Sequence, residues 1–154
     1  MGRIEITNLT RRPAPVLPFA RVHKEVLPAF TVSLAFVESK RAQAINKATR
    51  NKSYIPNVLS YTTSDTSGEI IICLPEARRQ APDFNLPFET FVLFLFIHGL
   101  LHLEGQRHGT TMEKSEQELL ARFAQGARLS TSLHETTHRN RNRHRHLPGK
   151  GSGR

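Results

Sequence analysis

The sequence predicts an α+β domain in which a small four-stranded sheet packs with about five helices. Short runs of strand length, rich in β-branched and aromatic residues, alternate with longer segments that have helical patterns. One helical segment, residues 88–103, is apolar on almost every side, and it is expected to run through the middle of the domain.

Four segments have strand patterns. Apolar residues alternate with other residues in segments 3–8 and 31–37, which is typical of half-buried strands. Two β-rich runs, 57–61 and 69–74, are separated by a loop of Thr, Ser, Asp and Gly, and they predict a further pair of strands.

Five segments have helical patterns. They are residues 16–30 with an interruption or end at Pro28, residues 39–50 with Ser39 as a candidate cap, a turn at 75–80, residues 87–103, and a last helix from Thr110. Thr110 and Glu113 predict a capping box, and Leu119, Leu120 and Phe123 are expected to face the core.

His98, His102 and His108 have the spacing of a metal site. The first two are four residues apart, so on a helix of about 3.6 residues per turn they point from the same face. Gly105 can adopt the left-handed conformation that ends a helix, which lets His108 fold back toward them. The alternative is that these are ordinary core or cap histidines, but burying imidazoles without partners would cost roughly a few kcal/mol.

Three neutral imidazoles leave the fourth tetrahedral position of a zinc ion open, whereas a structural site closes it with a fourth protein ligand. A zinc-bound water in that position can lose a proton near pH ~7 and become a nucleophile. We therefore expect a zinc hydrolase with one ion per chain, although imidazole also suits nickel, copper and iron.

The spacing also matches the long metalloprotease pattern His-Glu-x-x-His-x-x-Gly-x-x-His, except at the general base. Gly99 occupies the position of that glutamate, and Glu104 projects from the opposite side of the helix. Residues 134–138, His-Glu-Thr-Thr-His, match the short protease pattern, but their polar flanks have no apolar face to hold a helix. Peptidase activity is therefore not expected at either place.

Positive charge is concentrated toward the carboxyl end. Residues 1–126 hold 15 Lys and Arg against 12 Asp and Glu, whereas residues 127–154 hold seven against one. The second segment lacks apolar periodicity, so we expect a single domain of residues 1–126 followed by a disordered basic tail of residues 127–154. Such a tail favours polyanions, RNA first, or else only improves solubility.

Compartment and membrane signals are few. Cys73 is the only cysteine, which excludes an internal disulfide, and no apolar run approaches the ~20 residues of a membrane helix. The segment before Pro13 lacks the apolar core of a signal peptide. We expect a cytoplasmic protein with no membrane partner.

Residues 98–108, His-Gly-Leu-Leu-His-Leu-Glu-Gly-Gln-Arg-His, resemble the His-Gly-x-Leu-His-Leu-x-Gly-x-Asp-His motif of the YbeY family. Residues 45–50, Ile-Asn-Lys-Ala-Thr-Arg, resemble its Leu-Asn-x-x-x-Arg helix. Residues 56–61, Pro-Asn-Val-Leu-Ser-Tyr, and 68–73, Gly-Glu-Ile-Ile-Ile-Cys, resemble its Thr-Asp-Val-Leu-Ser-Phe and Gly-Asp-Ile-x-Ile strands. The order and separations agree, so the resemblance covers about residues 1–126.

The resemblance implies a zincin-like α+β fold with a mixed sheet. It also implies a zinc-dependent endoribonuclease that acts on single-stranded RNA in ribosomal RNA maturation and quality control of the small ribosomal subunit. His98, His102 and His108 then correspond to the metal ligands, and Arg50 to the family's arginine at the cleft. A guanidinium suits the charge that develops on phosphoryl oxygens, although Arg50 can also be an ordinary helix-end cation. Lys52 and Arg107 are further candidates for contact with RNA.

Two positions depart from the family pattern. Arg107 stands where an acidic residue precedes the third histidine, and Asn57 replaces the acidic residue of the upstream strand. Losing a carboxylate that orients a ligand would lower metal affinity about 10- to 100-fold, and an arginine near the ion opposes it unless it turns outward to RNA phosphate. A second hypothesis is therefore a non-catalytic RNA-binding ribosome-assembly factor with a structural zinc. A third is hydrolysis of another phosphoester or an amide.

Overall fold

The computed structural model describes residues 1–124, so the predicted basic tail of residues 127–154 lies outside the described part. Strands and helices occur together within the described part, as the α+β prediction requires. In chain order the elements are β1 (Ile4–Asn8), α1 (Phe19–Val26), β2 (Thr31–Val37), α2 (Ser39–Arg50), β3 (Val58–Ser64), β4 (Ser67–Cys73), α3 (Leu74–Gln80), a 3-10 helix (Ala81–Phe84), α4 (Phe88–Leu103) and α5 (Thr110–Phe123).

The four strands form one mixed sheet in the order β1-β2-β4-β3. β1, β2 and β4 are parallel, and β3 is antiparallel to β4. Parallel neighbours need a crossover connection, which α1 provides between β1 and β2, whereas β3 and β4 need only a tight turn. The mixed sheet is confirmed, with β1 and β3 at its edges.

Side chains along β4 alternate between two hydrophobic cores, one on each face of the sheet. Ile70 and Ile72 lie in a large core that they share with α1, α4 and α5. Ile71 and Cys73 lie in a smaller core against Ala42 of α2. The helices α4 and α2 therefore cover opposite faces of the sheet.

The central apolar helix is α4, as predicted. Eleven of its 16 residues are buried, and it approaches β4 so closely that a Cβ added at Gly99 would lie 3.1 Å from the side chain of Ile70. Within residues 1–124 no single helix is long and apolar enough to cross a membrane; Leu74–Phe84 and Phe88–Leu103 pass that test only as a pair bent by 105°.

Several predicted ends differ from the observed ones. The helix α1 is shorter than residues 16–30, because Pro18 precedes its first turn and Leu27 leaves the helical conformation (φ −146°) just before Pro28. The hairpin of β3 and β4 extends further toward its turn than predicted, to Ser64 and Ser67.

Neither predicted side-chain cap forms. At α2 the cap position belongs to Glu38, and Ser39 is already helical. At α5 the cap position belongs to Gly109, and Thr110 is the first helical residue, so the capping-box prediction is wrong. A cap residue must precede the helix to bond its first N–H groups, and both hydroxyl residues lie one position too late.

Candidate metal centre

The three predicted metal ligands come together at the carboxyl end of α4. Nε2 of His98 and Nε2 of His102 are 3.1 Å apart. Gly105, with φ +105°, turns the chain so that the ring of His108 lies 5.1 Å from that of His98 and 4.6 Å from that of His102, centroid to centroid. One ligand atom of each residue lies within 4.8 Å of the others. Zinc–nitrogen bonds of about 2.0–2.1 Å separate tetrahedral ligands by about 3.3 Å, so the cluster is close to that size.

Both helical histidines are oriented through their other ring nitrogen. Nδ1 of His98 lies 2.5 Å from Oε2 of Glu116, and Nδ1 of His102 lies 3.2 Å from the backbone carbonyl of Gln106. A carboxylate and a carbonyl only accept, so each Nδ1 donates its proton, and in the neutral form of each ring Nε2 presents a lone pair. Two lone pairs facing each other across 3.1 Å repel, and a cation between them removes that repulsion. The donor set therefore fits a metal ion.

Burial and mutual proximity favour the neutral rings that metals bind. Burial, and then the neighbouring His98 and His108, lower the pKa of His102 to about 4. Burial and the neighbouring His98 also lower the pKa of His108. Both rings are therefore uncharged at neutral pH, as a ligand must be.

Glu116 contacts the histidine cluster, and the histidine motif did not reveal it. It is only 5% exposed, and it lies on α5, 18 residues after His98. Its signal in the sequence is its place in the apolar stripe of α5, which is formed by Met112, Leu119, Leu120 and Phe123. A carboxylate on a buried stripe needs a partner, and here the partner is the first of the three histidines. Because it contacts Nδ1, it lies behind the imidazole and orients the ligand.

Arg50 lies at the carboxyl end of α2, on the other face of the sheet from α4. Its Nη1 donates to the hydroxyl of Tyr54 at 3.0 Å and to Oδ1 of Asn46 at 3.4 Å. Asn51 then ends the helix in a left-handed conformation (φ 56°), and Lys52 follows it, exposed. Within residues 1–124, these two bonds join Arg50 to its own helix and the following loop and not to the histidines.

Asn57 and Arg107 are the two residues that depart from the family motif. The contact given for Asn57 is with another side chain and not with an imidazole, and Arg107 is exposed. Nδ2 of Asn57 donates to Oε1 of Gln80 at 2.8 Å, and Gln80 in turn donates to Glu76. Arg107 is exposed in the turn before His108. A carboxylate that orients a ligand is present all the same, because Glu116 contacts Nδ1 of His98.

The position of the metalloprotease base is a packing position here. A Cβ at Gly99 would meet three carbons of Ile70 at 3.1–3.2 Å, so position 99 faces the sheet. Glu104 is exposed and accepts a hydrogen bond from Nε2 of Gln106 at 2.9 Å. Gly99 therefore cannot supply the general base of that pattern, and the absence of peptidase activity stays a prediction.

The fold and site define a class: α+β proteins in which two histidines of a central helix and a third from the following turn could hold a metal. The chain belongs to the YbeY family, since the family model described as Endoribonuclease YbeY matches residues 3–124.

Relatives named Endoribonuclease YbeY agree with this assignment. The one from Thiobacillus denitrificans is 32% identical over 102 residues, which are 60% of this chain and 69% of the relative. The one from Bdellovibrio bacteriovorus is 32% identical over 123 residues, 79% and 74% of the two chains. The one from Mesoplasma florum is 37% identical over 99 residues, and there the chain spans just over half of the relative, 58%. The solution structure of TM1509 from Thermotoga maritima covers 77% of this chain and 87% of its own with a TM-score of 0.57 and 21% identity, which supports the fold.

Proposed function

We propose that the chain is a zinc-dependent endoribonuclease that cuts single-stranded RNA. The observation that carries the proposal is the convergence of His98, His102 and His108, with the first two oriented by Glu116 and Gln106. Zinc held by these residues would supply a Lewis acid and a water of lowered pKa, as phosphodiester hydrolysis needs. Membership of a family whose relatives are named endoribonucleases supports RNA as the substrate.

Arg50 is proposed to bind the phosphate at which the charge develops. The helix α2 begins beside Cys73, whose thiol contacts Ser39, at the carboxyl end of β4. Its 12 residues are about 18 Å long, which carries Arg50 toward the amino end of β4, where a Cβ on Gly68 would meet Leu103 of α4. Arg50 and the histidines then lie toward the same end of the sheet on opposite faces. A bound RNA strand would pass around the edge strand β3.

Exposed basic residues near these elements are proposed to guide the strand. Lys52 follows Arg50 in the loop, and Arg107 lies in the turn before His108, where an outward guanidinium can meet phosphate without opposing the ion. The basic segment 127–154 is proposed to add non-specific affinity. Ribosomal RNA, the small ribosomal subunit and the cytoplasm are the proposed substrate, partner and location.

The test measures zinc content and the cleavage of single-stranded and duplex RNA together. His102→Ala should lower zinc affinity by roughly a hundredfold or more and abolish cleavage, because each ligand carries a few kcal/mol of the binding free energy. Arg50→Ala should keep its zinc and lose about 10²- to 10³-fold in kcat, whereas the matched control Arg41→Ala, exposed on the same helix, should cut normally.

Two results would overturn this function. A zinc-loaded wild type that leaves single-stranded RNA as intact as His102→Ala does would exclude the enzyme. Unfolding on chelation would indicate a structural ion and favour the assembly-factor hypothesis. We expect chelation to leave the fold intact, because the described core clusters are built without the three histidines.

A further inference from the structure

A cleft lined by four arginines lies at the far end of α4 from the metal centre. Its volume is about 440 Å³, and its polar lining is Thr10, Arg11, Arg12, Glu38, Arg78 and Arg79. These residues follow β1, β2 and β4, so the cleft lies where the carboxyl ends of three parallel strands meet. Open sheets commonly bind ligands at that edge. Four guanidiniums stand against two carboxylates, Glu38 in the lining and Glu76 paired with Arg79, and this excess of positive charge makes the cleft a site for anions.

The distance from the metal centre follows from α4. The guanidinium of Arg78 lies 3.9 Å from the ring centroid of Phe88, the first residue of the helix. His98 and His102 are 10 and 14 residues further along, which is about 15 and 21 Å at about 1.5 Å per residue. The arginine cleft is therefore separate from the metal centre.

The loop that carries Arg11 and Arg12 is held by its backbone. The side-chain amide of Asn8 donates to the carbonyl of Arg12 at 2.8 Å, and its oxygen accepts the N–H of Thr10 at 3.0 Å. Oε2 of Glu38 accepts the N–H of Arg11 at 3.0 Å. The two exposed arginines thus project from a fixed turn, which lowers the entropy cost of binding a ligand.

The two arginines of α3 are also fixed. Arg78 stacks on Phe88, and Arg79 pairs with the buried carboxylate of Glu76, which Gln80 bonds as well. A planar guanidinium that is already positioned loses less freedom when its remaining N–H groups bind a phosphate in pairs.

We propose that the arginine cleft binds backbone phosphates of the RNA at a distance from the bond that is cut. RNA as the ligand rests on the proposed function. At about 3.4 Å per stacked nucleotide, 15–21 Å corresponds to about four to six nucleotides, so a long strand reaches both sites and a very short one reaches only the metal centre. The cleft thereby favours long single strands.

The test measures RNA affinity on the zinc-loaded full chain at several salt concentrations. The probe is a single-stranded RNA of about 20 nucleotides, longer than the roughly 4–16 that one site spans. Phosphorothioate linkages keep its charge and slow its hydrolysis. The variants are Arg11→Gln/Arg12→Gln and the charge-retaining Arg11→Lys/Arg12→Lys. Arg3→Gln/Lys24→Gln removes the same charge from exposed positions outside the cleft and is the matched control.

The Gln pair should weaken binding about tenfold at low salt and reduce the salt slope by about 1.4, at about 0.7 per lost phosphate contact. The Lys pair should keep the slope, and the control should bind as the wild type does. Wild-type binding by the Gln pair, or an equal loss in the control, would overturn the proposal. Binding is measured without cleavage, so a selective loss in a protein that cuts nothing would support the cleft and overturn only the nuclease function.

Discussion

The two sides of α4 place opposite demands on neighbouring residues. His98 lies on the side that faces α5 and the metal centre, where a buried carboxylate holds its ring. Gly99, the next residue, lies on the side that faces β4, where even a Cβ would be 3.1 Å from Ile70. At position 98 the hydrogen bond to Glu116 determines which residue fits, and at position 99 the space beside Ile70 does.

This difference explains why one metal motif can serve different chemistry. A metalloprotease needs the residue after its first histidine to face the ion, and here that residue faces a strand. The ligand spacing is kept, while the position of the general base is used to bring the helix onto the sheet. The chemistry available to the site therefore depends on how the helix packs as well as on its ligands.

The largest effect is expected on the sheet side. Gly99→Glu would place a carboxylate against Ile70 in the dry core, and we expect it to lower the free energy of unfolding by about 3–5 kcal/mol without creating peptidase activity. Urea denaturation and a peptide-hydrolysis assay measure the two outcomes.

Gly99→Ala is the control for the change of backbone. The methyl group gains helix propensity of about 1 kcal/mol but meets Ile70 closely. The free energy of unfolding should therefore fall by between about zero and 2 kcal/mol. A Gly99→Glu protein of wild-type stability would contradict the contact between α4 and β4.

The large features of the molecule were predictable from local sequence pattern. The spacing of His98, His102 and His108 with Gly105 predicted the cluster because helix periodicity alone brings two ligands together and glycine alone makes the turn. The apolar stretch of residues 88–103 also predicted a central helix, because a helix that is apolar on almost every side is stable only when it is buried.

Features that depend on tertiary contact were not predictable in this way. Glu116 reaches His98 across 18 residues, and only the packing of α5 on α4 brings them together. The capping box failed because Gly109, whose positive φ of 156° suits glycine and few other residues, takes the cap position itself. The roles of Arg50, Lys52 and Arg107 remain predictions, because their contacts with RNA depend on a ligand.

On the metal side, Glu116→Gln should lower zinc affinity about 10- to 100-fold. The amide still accepts a hydrogen bond from Nδ1 of His98, but the negative charge that makes the imidazole a stronger ligand is lost. Competition with a chromophoric chelator measures the affinity, and Glu118→Gln, exposed on the same helix, is the matched control. Equal zinc affinity in both variants would show that the carboxylate does not tune the site.

The smallest effect is expected from acid on the metal-free protein. Burial, and then the neighbouring histidines, lower the pKa of His102 from 6.5 to about 4, so the unfolded chain takes up this proton more readily than the folded one. The neutral ring's contribution to stability is therefore complete above pH 6.5 and is lost as the pH falls through about 4. Solvent screening of this partly buried ring keeps the effect small. Urea denaturation of chelator-treated protein at several pH values should show the decline, His102→Asn should reduce it, and Gly99→Ala, on the side without a titrating group, should retain it. A decline of the same size in His102→Asn would assign the acid sensitivity to other groups.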